Sequence, residues 1–311
     1  MQLTKNEIES YNHIRSGGGA GFIELPRGLI AVWGKEAVQF LDGMITNDMK
    51  TLGDGQQMLA AFPNAQGRLL AVIRVLRQGE RFLIETEEAT REKVFNNLFR
   101  FTFAGDFFVE DLSGPFEYFE VFGEFPVKPQ GSELSALGGG HIFAGPSTVG
   151  YFIPAAETGR FRSELTAANA VKIEDEELYE TLRIESGIPK YGVDMDETTI
   201  VPELGLDGLI SYTKGCYIGQ EIIARIHFRG HVAKQLTGIV AEPGAAPTGL
   251  LPGGELSTSD GKNCGKITSV SYSTRLERMV ALAFVRYDYL AQATELASGG
   301  VVVKVKELPL V

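Results

Sequence analysis

The pattern of apolar and polar positions changes period several times along the chain. GFIELPRGLIAVWG reads as two short strands around the turn Pro26-Arg27-Gly28, and a helix follows Gly34, with Ala37, Phe40, Leu41 and Met44 at helical spacing as its buried stripe. From residue 59 to about 127 the text becomes strand pairs. LLAVIRVLR and RFLIETE flank the hairpin connection Gln78-Gly79-Glu80, and the strands DFFVEDL and YFEVFG come later. Between them a helix fits residues 90–100, with Thr90 as its cap and Val94, Leu98 and Phe101 on one side. VKIEDEELYETLRIESG is the clearest helix, acidic over its first turns and stopped by Gly187. After about Ala233 short strands and turns, including the tight-turn pair Asp260-Gly261, signal a small antiparallel barrel or sandwich. The fold class is α+β.

Two turn-rich stretches punctuate this order. KPQGSELSALGGGH, residues 128–141, marks a boundary or an exposed loop. SGGGAG, residues 16–21, resembles a phosphate-cradling loop only in composition. It lacks the strand-loop-helix order such a loop requires, so it reads as a connection.

Length and charge narrow the function classes. The 311 residues suffice for two or three compact units with a substantial core. The net charge of −11 repels phosphate backbones, so no direct binding to nucleic acid is expected. Cys216 and Cys264 are the only cysteines, which excludes a disulfide framework, a CxxC pair and a four-thiolate metal or cluster site within one chain. No stretch approaches the roughly 18 apolar residues of a membrane span. The first residues are polar, without the apolar core of a signal peptide, so a cytoplasmic protein without membrane partners is expected. GxSxG, Walker, HExxH and HxE with PCxxC signatures are all missing.

Three local features carry candidate chemistry. Leu178, Leu182 and Glu185 lie at i, i+4 and i+7, so Glu185 continues an apolar stripe while Arg183 points elsewhere. A carboxylate so placed needs a buried cation or a ligand with hydrogen-bond donors, unless the helix end has already reached water. In YTKGCYIGQE, a helix starting near Ile218 would bury Ile218, Ile222, Ile223 and Ile226 and put Cys216 just before its amino end. The helix dipole and Lys214 would then favour a thiolate, and Gly215 would leave the sulfur accessible. The alternative is a small apolar residue in a turn. In HFRGHVAK, His227 and His231 have the i, i+4 spacing of a metal pair, but Gly230 ends the helix between them and no metal site is expected. Arg225, Arg229 and Lys234 form a local basic group suited to a carboxylate or phosphate, or a solvated charged surface.

Together these motifs carry a resemblance. LRIESGIPKYGVDMDETTIVPELGL is similar to the R-x-E-x-G…YG-x-D segment of the glycine-cleavage T-protein (aminomethyltransferase-like) superfamily. KGCYIGQE, FLDGMITNDM and AAFPNAQGRLL resemble its YgfZ-like folate-binding branch, which includes mitochondrial relatives in iron-sulfur protein maturation. The resemblance spans almost the whole chain. It implies a three-lobed ring of two α+β lobes and a C-terminal antiparallel β-barrel. The first lobe would take residues 1–50 and 140–232, the second 51–139, and the barrel 233–311.

It further implies tetrahydrofolate or a derivative as cofactor, with no metal bound by this chain alone. Glu185 matches the glutamate that hydrogen-bonds the pterin ring, Tyr191 the tyrosine of the YG pair, and Arg229 falls near the arginine offered to the folate's glutamate tail. Cys216 would be the functional cysteine, with Lys214, Gln220 and Glu221 as motif neighbours. True T-proteins follow the position of Gly67 with an aspartate pair, whereas here the run is Gly67-Arg68-Leu69-Leu70-Ala71-Val72. With Ala71 and Val72 in place of carboxylates, aminomethyl transfer loses its acid-base group. The resemblance therefore implies an accessory protein partnered with iron-sulfur enzymes or assembly factors, any effect on tRNA modification being downstream. The alternatives are a folate-dependent aminomethyltransferase, another one-carbon transferase using Cys216, or a binding protein without an essential thiol.

Overall fold

A computed structural model describes residues 3–124, 133–134 (as backbone), 139–145, 147–244 and 249–311. Most of the turn-rich stretch expected at 128–141 lies outside these residues. The chain forms two compact units. One comprises His13–Lys172 and Leu206–Ala224, the other Met1–Asn12, Ile173–Gly205 and Arg225–Val311. Helix α1 (Lys5–Arg15) runs from the second into the first.

The strands of the first unit are β1 (Ala20–Leu25), β2 (Arg27–Trp33), β3 (Gln57–Pro63), β4 (Leu69–Gln78), β5 (Arg81–Glu87) and β6 (Phe108–Asp111). They continue as β7 (Phe116–Gly123), β8 (Glu133–Leu134), β9 (Gly140–Ala144), β10 (Thr148–Pro154) and β11 (Ala170–Lys172). Its helices are α2 (Ala37–Met44), α3 (Glu88–Phe99) and α4 (Thr158–Ala167). Two sheets result, one ordered β11-β1-β7-β10-β9-β8 and one β3-β4-β5-β2-β6. The hairpin expected at Gln78-Gly79-Glu80 closes with Gln78 opposite Arg81, and Gly79 takes a positive φ of 60°.

Period two decides which residues face which layer. Along β4, Leu69, Ala71, Ile73 and Val75 are buried, and the last three join Ile30, Val32 and Ile84 against Leu41, Met44, Val94 and Leu98. Leu29, Ala31, Leu76 and Leu83 face the other way and pack on Tyr118, Phe143 and Phe152 of the second sheet. β2 is covered on both faces, which accounts for its unbroken apolar run. Arg74, the charged interruption of β4, donates to Glu85 (2.7 Å), the Phe143 carbonyl (3.0 Å) and the Tyr118 hydroxyl (2.9 Å). Burial pushes the Glu85 carboxyl up, but Arg74 and Arg27 together hold it below its ordinary value.

Helix α3 begins two residues before the expected Thr90. Glu87 opens it without a side-chain cap, and Thr90 sits inside the first turn, donating to the Glu87 carbonyl at 3.0 Å. The Thr90 hydroxyl shares a hydrogen bond with Thr86, so an intrahelical threonine takes the place of a capping one.

In the second unit, α5 (Glu176–Glu185) is capped by Asp175, which accepts from the Glu177 amide at 2.7 Å. It ends as expected at Gly187, where φ is 70°, and the Ile188 amide returns to the Arg183 carbonyl. The barrel strands are β12 (Lys234–Ala241), β13 (Glu255–Ser257), β14 (Asn263–Ser273), β15 (Arg278–Arg286), β16 (Glu295–Ser298) and β17 (Val301–Lys306). They close in the order β12-β15-β14-β13-β16-β17, with β17 returning to β12. Ile239, Leu256, Ile267, Ala281, Ala283 and Val303 fill the interior. Closure selects the barrel over the sandwich and leaves no free sheet edge. Among the described residues no helix is long and apolar enough to cross a membrane.

Candidate functional site

Cys216 is exposed and unbridged, in the loop that precedes α6 (Gln220–Arg229). The helix starts at Gln220 instead of the expected Ile218, and of the four isoleucines only Ile223 is fully buried. Cys216 therefore stands four residues ahead of the helix. The dipole, whose influence fades within one turn, does little for the thiol there.

Lys214 also departs from its expected role. Its side chain is 0% exposed, and Nζ donates to the carbonyls of Asp42 (2.6 Å), Ile45 (3.0 Å) and Asn47 (2.7 Å), with Asp42 Oδ1 at 3.1 Å. These carbonyls stand at and beyond the C-terminal end of α2, where backbone acceptors lack intrahelical partners. Lys214 is thus a helix cap supplied from 172 positions downstream of Asp42. Burial pushes its ammonium down and Asp42 draws it back up, leaving it lowered. Its charge answers Asp42, not Cys216. Lys50 is the cation near the loop, with Nζ 4.0 Å from where a β-carbon on Gly215 would stand and 3.2 Å from Asp42 Oδ2.

The rest of the loop is held by backbone. The Ile218 amide donates to the Gly43 carbonyl (3.0 Å), the Ser211 amide to Thr46 (2.9 Å), and Thr46 Oγ1 to Leu209 (2.6 Å). Gly219 has φ of 80°, and a β-carbon there would run into the Asn64 carbonyl oxygen. On the facing turn Gly67 has φ of 69°, and its β-carbon would come within 3.3 Å of Ile222 and Ile223. The segments FLDGMITNDM, AAFPNAQGRLL and KGCYIGQE are therefore one packed assembly within the first unit. Gln220 Nε2 donates to the Gly215 carbonyl at 3.2 Å, and Glu221 is exposed. Tyr217 is buried beneath the Lys214 ammonium, 5.1 Å from its ring centre, and burial, followed by the neighbouring Tyr212, pushes its phenol up to about 12. Within KGCYIGQE the nucleophilic side chain offered to solvent is Cys216.

Glu185, Tyr191 and Arg229 belong to the second unit. Glu185 is 0% exposed at the last residue of α5. Its Oε1 accepts from the Tyr11 hydroxyl (2.8 Å) and the Ser273 hydroxyl (2.6 Å), so the chain itself supplies donors to the buried carboxylate. The Arg275 amide donates to Tyr11 Oη, the Leu276 amide to Ser273 Oγ, and the Leu310 amide to the Glu185 carbonyl. Tyr191 is half-buried and bridges to Met195 across a turn at Gly192. Arg229 is the exposed last residue of α6.

Arg183 was expected only to point away from the apolar stripe. It is the largest fully buried side chain among the described residues, donating to Asp194 (2.8 Å), Ser269 (2.8 Å) and Glu180 (2.5 Å). Asp194 also accepts from Ser269 and Thr268, each at 2.5 Å. The R-x-E…YG-x-D segment thus contains a buried ion pair whose two members the spacing did not connect. Among the described residues no group of three or more His, Cys, Asp or Glu side chains could hold a metal.

Comparison with known proteins gives one domain match, one fold match and several sequence likenesses. Residues 234–309 match the glycine cleavage T-protein C-terminal barrel domain. The fold superimposes on glycine cleavage system aminomethyltransferase T from Bartonella henselae with a TM-score of 0.83 at 20% identity, covering 98% of this chain and 89% of that one. In sequence the chain is 27% identical to an iron-sulfur cluster assembly factor IBA57 homolog from Mycosarcoma maydis, over 68% of this chain and 54% of that protein. It is 24% identical to the tRNA-modifying protein YgfZ of Escherichia coli O157:H7, over 80% of this chain and 79% of that one. The C-terminal barrel thus matches the T-protein barrel domain, the whole chain shares the T-protein fold, and its sequence is similar to YgfZ- and IBA57-named relatives.

The match to the Mycosarcoma relative spans about half of that protein's length. A relative from Rubrobacter xylanophilus named aminomethyltransferase is 29% identical over 91% of this chain and 78% of its own. In this chain Ala71 is fully buried in the core beneath α2 and α3, and Val72 is half-buried on the opposite side of β4.

Proposed function

We propose that the chain is a tetrahydrofolate-binding accessory protein that supports assembly or repair of iron-sulfur enzymes, with Cys216 as its working group. Any influence on tRNA modification follows through those enzymes. The observation that carries this reading is the division of labour in KGCYIGQE. Lys214 and Gly219 are spent on holding the loop, and the thiol is presented to solvent. An accessible thiol suits attack on an electrophile, redox exchange or transient ligation of iron. The names of the Mycosarcoma and Escherichia relatives support the iron-sulfur and tRNA parts of the reading.

For folate, Glu185 offers an acceptor of the kind a pterin's ring N–H groups require, and a pterin reaching this buried carboxylate has to displace the Tyr11 and Ser273 hydroxyls that it accepts from. Glu185 would hold the pterin, with Tyr191 beside it and Arg229 toward the glutamate tail. Tetrahydrofolate, when bound, supplies the nitrogens that carry one-carbon groups. The Rubrobacter relative's name favours a second reading, aminomethyl transfer. Against it stand Ala71 and Val72, which offer no carboxylate to the folate nitrogen.

Calorimetric titration with tetrahydrofolate tests the folate part, with Glu185→Gln expected to weaken binding at least tenfold. Wild-type affinity in that variant would refute the assignment of Glu185. Tetrahydrofolate-dependent ammonia release from an aminomethylated carrier protein would establish the second reading, and its absence would exclude it.

A further inference from the structure

The barrel carries a concave feature on the wall around β12. Strand β12 lies between β15 and β17, with Val240 opposite both Val280 and Lys304, and Gly238 opposite Lys306. Val240 of β12 and Glu242, just past its end, line a cavity of about 410 Å³. Lys304 and Lys306 flank it on one side and Arg278 on the other, while Arg275 joins from the turn between β14 and β15. Arg229, the arginine that the family resemblance associates with folate, does not line it.

Four cations therefore surround one lining carboxylate in a chain of net charge −11. Part of that charge is already answered. Lys304 pairs with Glu242 at 2.6 Å and Glu295 at 3.5 Å, and Lys306 Nζ donates to the Leu310 carbonyl at 2.6 Å. The two arginines are different. Arg278 uses only Nε, on the Leu276 carbonyl at 3.2 Å, and the Arg275 side chain makes no hydrogen bond or ion pair among the described residues. Among the described residues neither guanidinium is in an ion pair, although the charge of Arg278 also acts on Glu242, and with Val240 and Leu276 as apolar lining the two form a receptor for anions. The volume is that of a small-molecule site.

We infer that this wall of the barrel binds a small organic or inorganic anion carrying two or more carboxylate or phosphate groups. The charges fall on Arg275 and Arg278, Lys304 closes the far side, and the carbon skeleton rests on Val240 and Leu276. The inference is independent of the role of Cys216 and of folate.

Titration calorimetry of the full chain with citrate and, separately, pyrophosphate tests it. One-to-one binding of at least one of them is expected, and which one binds tells carboxylate from phosphate recognition. Arg275→Gln with Arg278→Gln should raise Kd at least tenfold. Arg275→Gln alone, which disturbs no hydrogen bond, should raise it by a smaller factor and covers the case in which the double variant fails to fold. Removing remote cations by Lys35→Gln with Arg100→Gln should leave Kd unchanged. Failure of both anions to bind, or equal weakening in the remote variant, would overturn the inference.

Discussion

Replacing Lys214 by methionine keeps the length of the side chain and deletes the ammonium that holds the Cys216 loop. Three carbonyl oxygens lose their donor, at 2.6, 3.0 and 2.7 Å, and Asp42 loses its buried partner at 3.1 Å. Asp42 keeps the Met49 amide at 3.1 Å and Lys50 at 3.2 Å, and the variant no longer has to desolvate an ammonium. Breaking a buried pair by removing one partner costs about 3–5 kcal/mol, and these offsets place Lys214→Met near 3 kcal/mol. Lys50→Met removes a largely exposed partner and should cost below about 1 kcal/mol. The single tryptophan, Trp33, lies in the same unit, so urea unfolding followed by its fluorescence reads the effect directly. A loss under about 1 kcal/mol for Lys214→Met would refute the capping role.

Gly219→Ala must bring a β-carbon against the Asn64 carbonyl at a positive φ, and should destabilise the same unit by more than about 2 kcal/mol in urea titration. Arg183→Met would leave Asp194 buried without its cation, and a loss of about 3–5 kcal/mol is expected from the unfolding of the barrel unit. His141 has a pKa of about 4, lowered by burial and then by Arg81. Above pH 6.5 folded and unfolded chains are both neutral there, while between 6.5 and 4 only the unfolded chain gains the proton. Stability should fall as pH drops through that window, and His141→Phe should flatten the slope measured by urea unfolding at several pH values.

Much of the fold was legible because single periods persisted over whole elements. The acidic start and Gly187 stop of α5, the β4–β5 hairpin and the run of short C-terminal strands all follow from local rules. Closure of the barrel was legible from the resemblance and not from the hydrophobic pattern, because β17 must find β12 across the intervening strands and no local pattern encodes that pairing. The ends of α3 and α6 shifted by two residues for a related reason. Thr90 finds Thr86 from inside the helix, and Gly219 is placed by its approach to Asn64. Arg183 and Asp194 are eleven positions apart, and only the turn through Gly187 and Ile188 brings them together. Lys214 could be read as a cation beside a thiol, but its reach back to the end of α2 depends on a contact 172 positions away. The sequence singled out these polar groups, while their partners required the fold.

The central claim concerns the thiol of Cys216, and its direct test is complementation. In cells lacking their own copy of this protein, the activity of an iron-sulfur enzyme would be measured with wild-type chain and with Cys216→Ser at matched protein level. Cys216 is exposed, so the serine variant should fold and accumulate normally. Activity is expected to be restored by the wild type and to remain at the deletion level with Cys216→Ser. Full restoration by the serine variant would contradict the account.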